Sequence, residues 1–292
     1  MRLPVDSPYL YSLEPQNDSK GALINFGGRR VDKEMVQLVL GVAIFWLFSL
    51  VILLKPPLES PPFSLFKIDM YRPVHVASNG ELIELLKYRG LWEISPETAI
   101  PAVLVAQYPD DLNLLDVNVK KQVFLHTLLP IVMVAQSEVK QERAFLLKIT
   151  KKIGDRRFDI RNLDDISTLH HRLTRTEKFF LHNLSQKYRA ARLSELLVRV
   201  RPVPNSLVMA QAAIESSWGD SRFVNEGNNL FGVWTWGKYG MIPARREEGK
   251  NHKVAAYDTI LDSVRSYILI LNRVSAYGRF RRLRQQTMDP SR

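Results

Sequence analysis

Within the stretch AQAAIESSWG, residues 210–219, a single carboxylate, Glu215, follows a run of alanines and precedes a Trp-Gly pair. Pro204-Asn205-Ser206 offers a turn and an N-cap, so a helix is expected to begin near Leu207 and run to Trp218, with Gly219 able to end it. At about 100° per residue, Leu207, Val208, Gln211, Ile214, Glu215 and Trp218 fall on one side of that helix. Glu215 then shares the apolar side. An unpaired carboxyl there loses water, and desolvation lifts its pKa towards the range in which a general acid keeps its proton at neutral pH. A buried ion pair with an arginine, for instance Arg222, fits the position equally well.

The residues after Glu215 favour chemistry on a sugar. Trp218 comes first, then the polar run SRFVNEGNNLFGVWTW, in which Phe231, Trp234 and Trp236 alternate with glycine and asparagine. Flat aromatic faces beside amides suit a sugar ring, which has apolar CH faces and a rim of hydroxyls and acetamides. Taken singly, each aromatic suits a protein core just as well.

The elements that must hold this stretch read as mostly helical. Ser78-Asn79-Gly80-Glu81 can cap a short helix ending at Gly90, and residues 118–153 form one long amphipathic pattern, bent at Pro130 and stopped by Gly154. Thr174 or Thr176 can begin a helix through EKFFLHNLSQKYRAA, followed by a short one through Leu193 to Val200. Asp258 or Thr259 can cap ILDSVRSYILILNRV, whose Ile260, Val264, Tyr267, Ile268 and Leu271 share a face. Residues 220–257, rich in Gly, Asn and aromatics, read as loop with a hairpin, where sites tend to lie.

The N-terminal part differs in kind. Residues 1–34 have no clear period and read as a poorly ordered tail. Val36 to Leu54 is apolar except for Gln37 and Ser49 and carries no charge, which is long enough to cross a bilayer. The run begins too far from the N-terminus for a cleaved signal peptide and ends in Lys55-Pro56-Pro57, so residues 35–54 are read as an uncleaved anchor in the lipid bilayer. Lys20, Arg29, Arg30 and Lys33 on one side, against Lys55, Lys67 and Arg72 on the other, bias the tail to the cytoplasm. Residues 55–75 are a Pro-rich linker. Residues 76–199 form a helical region packing on a catalytic domain at 200–286.

Composition removes several classes of function. The 292 residues contain no cysteine, which excludes disulfides, thiolate metal sites and thiol catalysis, while a net charge of +11 favours polyanionic surroundings. Ser64-Leu65-Phe66-Lys67 has the S-x-x-K spacing of penicillin-recognising enzymes without its companion motifs. Gly227 to Gly232 has the spacing of a P-loop but Val233 and Trp234 in place of Lys and Ser/Thr. Adjacent His170 and His171 point in different directions. The basic cluster RFRRLRQQ reads as a solvated helix end or a phosphate contact, with no nucleic-acid fold signature to support the latter. No nucleic acid, metal or cofactor is expected.

AQAAIESSWGDSRF, EGNNLFGVW, AYDTILDSVRSY and LNRVSAY together resemble the glucosaminidase family of peptidoglycan hydrolases, glycoside hydrolase family 73. KKQVFLHTLLPIV and MIPARREEG further resemble the bacterial Bax-like proteins. The resemblance covers about residues 200–282 and extends more weakly to residue 118. It implies an α+β, mostly helical, lysozyme-like domain with a small hairpin lobe, acting on peptidoglycan glycan strands. It also implies that the Glu of the A-x-x-E-S-x-W-G motif, Glu215 here, is the general acid, which in turn sets the catalytic domain in the periplasm, on an inner-membrane anchor with its N-terminus inside. A second carboxyl stands about 6.5–9.5 Å from the acid in inverting glycosidases and about 5–5.5 Å in retaining ones. The resemblance puts it on a downstream hairpin, where Glu248 and then Glu247 are the candidates. Otherwise the substrate's acetamide serves as nucleophile, with Tyr257 orienting it or the water. Asn228, Asn229 and Phe231 match the loop that shapes the groove, as support more than as ligands. Lytic transglycosylase chemistry and a glycan-binding module without catalysis remain rival readings.

Overall fold

The computed structural model describes residues 23–26, 29–32, 72–162, 173–237, 240–243 and 251–287. The expected membrane anchor, the linker up to residue 71, Ser64 to Lys67, His170, His171, Glu247 and Glu248 lie outside the described residues. The chain divides into two compact units, residues 1–55 and 56–292. In the first, β1 (Leu23–Phe26) pairs antiparallel with β2 (Arg29–Asp32), Leu23 opposite Asp32. The hairpin lies within the stretch, residues 1–34, expected to be a poorly ordered tail. Its strands flank Gly27-Gly28, a residue pair suited to a two-residue hairpin loop.

The second unit is mostly helical with few strands, consistent with an α+β domain. Its helices are α1 (Asn79–Tyr88), α2 (Val117–Ile153), α3 (Arg175–Tyr188), α4 (Leu193–Arg199), α5 (Asn205–Glu215), the single turn α6 (Arg222–Asn225), α7 (Ile260–Arg273) and α8 (Gly278–Thr287). Two-residue strands β3 (Trp234–Thr235) and β4 (Lys253–Val254) pair antiparallel, Trp234 opposite Val254. Most helix starts follow from local chemistry. Ser78 Oγ accepts the amide of Glu81, Thr174 and Glu177 form a reciprocal capping box, and Thr259 Oγ1 accepts the amide of Asp262. Gly154, at φ 78°, closes α2 in the left-handed conformation.

The long helix α2 organises the packing. Its N-terminal half supplies Phe124, Leu128, Ile131 and Val132 to a core shared with Leu82 and Leu86 of α1, Val208 and Ala212 of α5, and Val264 and Ile268 of α7. Its C-terminal half supplies Leu146, Ile149 and Ile153 to a second core with Phe180, Leu181 and Leu184 of α3 and Leu193 and Leu196 of α4. By length and composition α2 could cross a membrane, but 67% of its most apolar window is buried inside the protein, which makes it a core helix. Residues 72–116, upstream of it, join the first core through Val103, Leu104, Tyr108 and Leu112, and Val74 exchanges backbone bonds with Leu104 and Ala106.

The basic C-terminal helix departs from the solvated surface expected of RFRRLRQQ. Arg281 and Arg284 are only 5% and 4% exposed. The reason is that α3, α4 and α7 end close together and leave carbonyls without intrahelical partners. Arg281 Nη1 donates to the carbonyls of Leu271 and Val274 at 2.9 and 2.7 Å. Arg284 donates to those of Arg201, Pro202 and Val198 and to Asn272 Oδ1. Arg199 reaches the carbonyls of Tyr188 and Arg189, and Arg143 those of Leu197 and Val200. Burial, with neighbouring arginines, pulls Arg143, Arg281 and Arg284 down to about 10, so they stay charged at neutral pH and offset the negative helix ends.

Candidate active site

Helix α5 packs on α2 through a narrow face of Val208, Ala212 and Ala213, small enough for close approach. It ends at Glu215, three residues before the expected stop. Ser216 caps it, and Ser217, Trp218 and Gly219 then take φ values of 53°, 61° and 86°. The Trp218 amide donates back to the carbonyl of Ala213 at 2.8 Å, and the Gly219 amide to Ser216 Oγ at 2.9 Å. At Gly219 a Cβ would lie 2.8 Å from Leu112 Cδ2 and 3.1 Å from Phe124 Cδ2, so both backbone angle and space require glycine. Two non-glycine residues in the left-handed region cost about 1–2 kcal/mol each, a strain concentrated directly after the acid.

This early stop changes the surroundings of Glu215. The desolvated, apolar setting expected from the helical wheel is absent: Glu215 is exposed, and its neighbour Ile214 is 70% exposed. The alternative ion pair is absent too, because Arg222 sits 3.8 Å from Glu226 and donates to the carbonyl of Ile242. Among the described residues the Glu215 carboxyl has neither an ion pair nor a hydrogen bond.

The loop after α6 is held by its amides. Asn229 is fully used: Nδ2 donates to the carbonyls of Val233 and Ala255, and Oδ1 accepts the amides of Phe231 and Val233. Asn228, left-handed at φ 51°, donates to the carbonyls of Tyr257 and Asp258. Both asparagines brace the loop. Phe231 is buried and stacks face to face on Tyr267 of α7, centroids 4.0 Å apart and planes 1° from parallel. Trp234, half-buried on β3, lies 4.3 Å from the His252 ring, and Trp236 is half-buried just beyond β3. Trp218 meets Phe124 edge-on at 6.0 Å and has Lys121 Nζ 5.1 Å from its centroid. Tyr257 donates its hydroxyl to Ser266 Oγ at 2.9 Å, and burial pushes that phenol up to about 12.

Two tyrosines join Glu215 that sequence reasoning did not assign to the site. Burial raises the phenols of Tyr267 and Tyr277, and the charge of Glu215 raises both further, so each lies within its electrostatic reach. The signals were present: Tyr267 shares the apolar face of α7, and Tyr277 ends LNRVSAY. The arrangement is an exposed carboxyl at a helix end with two protonated phenols nearby, able to give or take a proton from a bound group. Among the described residues no cluster of His, Asp and Glu is arranged to hold a metal ion.

The helix-end acid and the braced asparagine and aromatic loop both fall inside a segment that a family model matches. Residues 193–290 match the glucosaminidase family model, described as mannosyl-glycoprotein endo-beta-N-acetylglucosaminidase. The chain is 29% identical over 167 residues to Protein bax of Escherichia coli, a match covering 57% of this chain and 56% of that protein. It is 32% identical over 89 residues to peptidoglycan hydrolase FlgJ of Salmonella typhimurium, covering 26% of this chain and 28% of that protein. The match thus spans little more than half the length of the first of these relatives and little more than a quarter of the second. No solved structure matches it.

Proposed function

We propose that this chain is a membrane-anchored peptidoglycan hydrolase that cleaves the β-1,4 glycosidic bond after N-acetylglucosamine, with Glu215 as general acid. The observation that carries the reading is the placement of Glu215: last residue of α5, exposed, without a partner among the described residues, inside the segment that matches the glucosaminidase family. A relative named as a peptidoglycan hydrolase supports the choice of substrate. The net charge of +11 suits an acidic wall polymer, and residues 35–54 would tether the domain to the inner membrane with its N-terminus inside and its catalytic part in the periplasm.

In the proposed reaction Glu215 passes its proton to the glycosidic oxygen as the bond to the anomeric carbon breaks. A strand lying across the exposed carboxyl excludes water from it, which favours the protonated acid. Tyr267 and Tyr277 supply neutral donors beside it. Glu248, Glu247 or the substrate's acetamide completes the displacement, with water taking the anomeric position. Tyr257, anchored on Ser266, fixes the loop on which Asn228 leans more directly than it fixes the water.

The test compares native protein with Glu215→Gln on purified peptidoglycan. New reducing ends from the native chain and none from the variant support the reading, and equal release from both overturns the role of Glu215. Anhydromuramyl termini, seen by mass spectrometry, would transfer the assignment to a lytic transglycosylase. Binding with no release from either would transfer it to a glycan-binding module.

A further inference from the structure

Lys121 and Trp218 make a second feature at the same edge. Trp218 is three residues beyond Glu215, and its amide is tied to Ala213 in the last turn of the acid's own helix. Its ring was expected to stack on a sugar. Instead it meets Phe124 edge-on and carries Lys121 Nζ 5.1 Å from its centroid, so much of its surface is committed within the protein. The cation is thereby tied to the turn that directly follows the acid's helix. The adjacent Lys120 is neutralised by Asp220 at 3.0 Å, whereas among the described residues no carboxylate pairs with Lys121. Lys121 belongs to α2, outside the family-matched residues 193–290.

From this geometry we infer that Lys121, positioned by Trp218, is a specificity subsite for a carboxylate carried by the muramyl side of the strand. The inference rests on the proposed reading of the site as one that takes peptidoglycan. An ammonium laid over an indole keeps its charge and has hydrogens left to donate, which suits a carboxylate on a bound strand. Two sources carry that group: the stem peptide, and the lactyl substituent once its peptide is removed. A polymer of N-acetylglucosamine alone carries neither.

Calorimetry on the full chain bearing Glu215→Gln, which spares the strand, separates the cases. The probes are soluble peptide-bearing glycan fragments, the same fragments stripped to the free lactyl acid, and the neutral N-acetylglucosamine tetramer. Adding Lys121→Met, which keeps the apolar stem, is expected to weaken an anionic probe about threefold to fivefold at low salt, the range of a solvent-accessible ion pair. Binding of the neutral tetramer stays unchanged, and Lys121→Arg restores the loss. Weakening confined to the peptide-bearing probe assigns the carboxylate to the stem, and weakening confined to the stripped one assigns it to the lactyl group. Equal weakening of all three, or of none, overturns the subsite. Reducing-end release by the native chain is scored separately. Anionic discrimination without release keeps the subsite and removes the hydrolase, while release without discrimination does the reverse.

Discussion

Two places in this molecule gather charge at helix ends, and they treat it in opposite ways. Where α3, α4 and α7 finish, buried arginines spend their hydrogens on carbonyls, and each guanidinium is committed to several acceptors. Where α5 finishes, a carboxylate stands in solvent with no partner among the described residues, next to two strained residues and a glycine that nothing else could replace. The first arrangement closes the fold. The second leaves a group unspent, as the proposed reaction would require.

Four substitutions would break or sharpen that contrast. Glu215→Gln should lower reducing-end release by about a hundredfold to ten-thousandfold, the range for loss of a general acid. Because the side chain is exposed, its urea unfolding midpoint should not move, and a matching loss of stability would dissolve the distinction between the two ends. Arg284→Met should do the converse: it strands four acceptors, costs about 3 kcal/mol in urea unfolding, and leaves turnover per folded molecule intact.

Gly219→Ala tests whether the strained turn serves the acid. A Cβ 2.8 Å from Leu112 on a left-handed backbone should cost about 2 kcal/mol and also lower turnover by displacing Glu215, both read on the purified variant. The smallest effect concerns pH. The hydrogen bond from Lys152 Nζ, opposed by burial and helped by the Thr174 amide, holds the Glu177 carboxyl below its ordinary value of 4.5. A depressed carboxylate contributes stability that is present above its unfolded pKa and fades as pH falls through its folded one. The thermal unfolding midpoint should therefore fall progressively below about pH 4.5, and Glu177→Gln should flatten that acid limb.

What could be read from the sequence was what neighbours in the chain decide. Ser78, Thr174, Thr259 and Gly154 act within one turn of themselves, and the helices they delimit lie where their patterns put them. The end of α5 was misread because its stop depends on Leu112 and Phe124, roughly a hundred residues away, which lie where a Gly219 side chain would be. The arginines of α8 look solvated in sequence because a basic cluster does so whenever the acceptors come from elsewhere. Here they come from the ends of α4 and α7 and from the segment that follows α4. The motif singles out Glu215, but its exposure follows from tertiary packing, and Tyr267 and Tyr277 come within its electrostatic reach only once α7 and the turn after it fold back towards α5.

The reach of α2 has a consequence for dissection. At 1.5 Å per residue this one helix is about 55 Å long, and it stands in both cores. The family-matched segment therefore borrows its foundation from upstream: Val208, Ala212 and Ala213 of α5 lose their bed if residues before 193 are cut away. Excised, that segment should be insoluble or molten where the longer chain from residue 72 unfolds in one cooperative step.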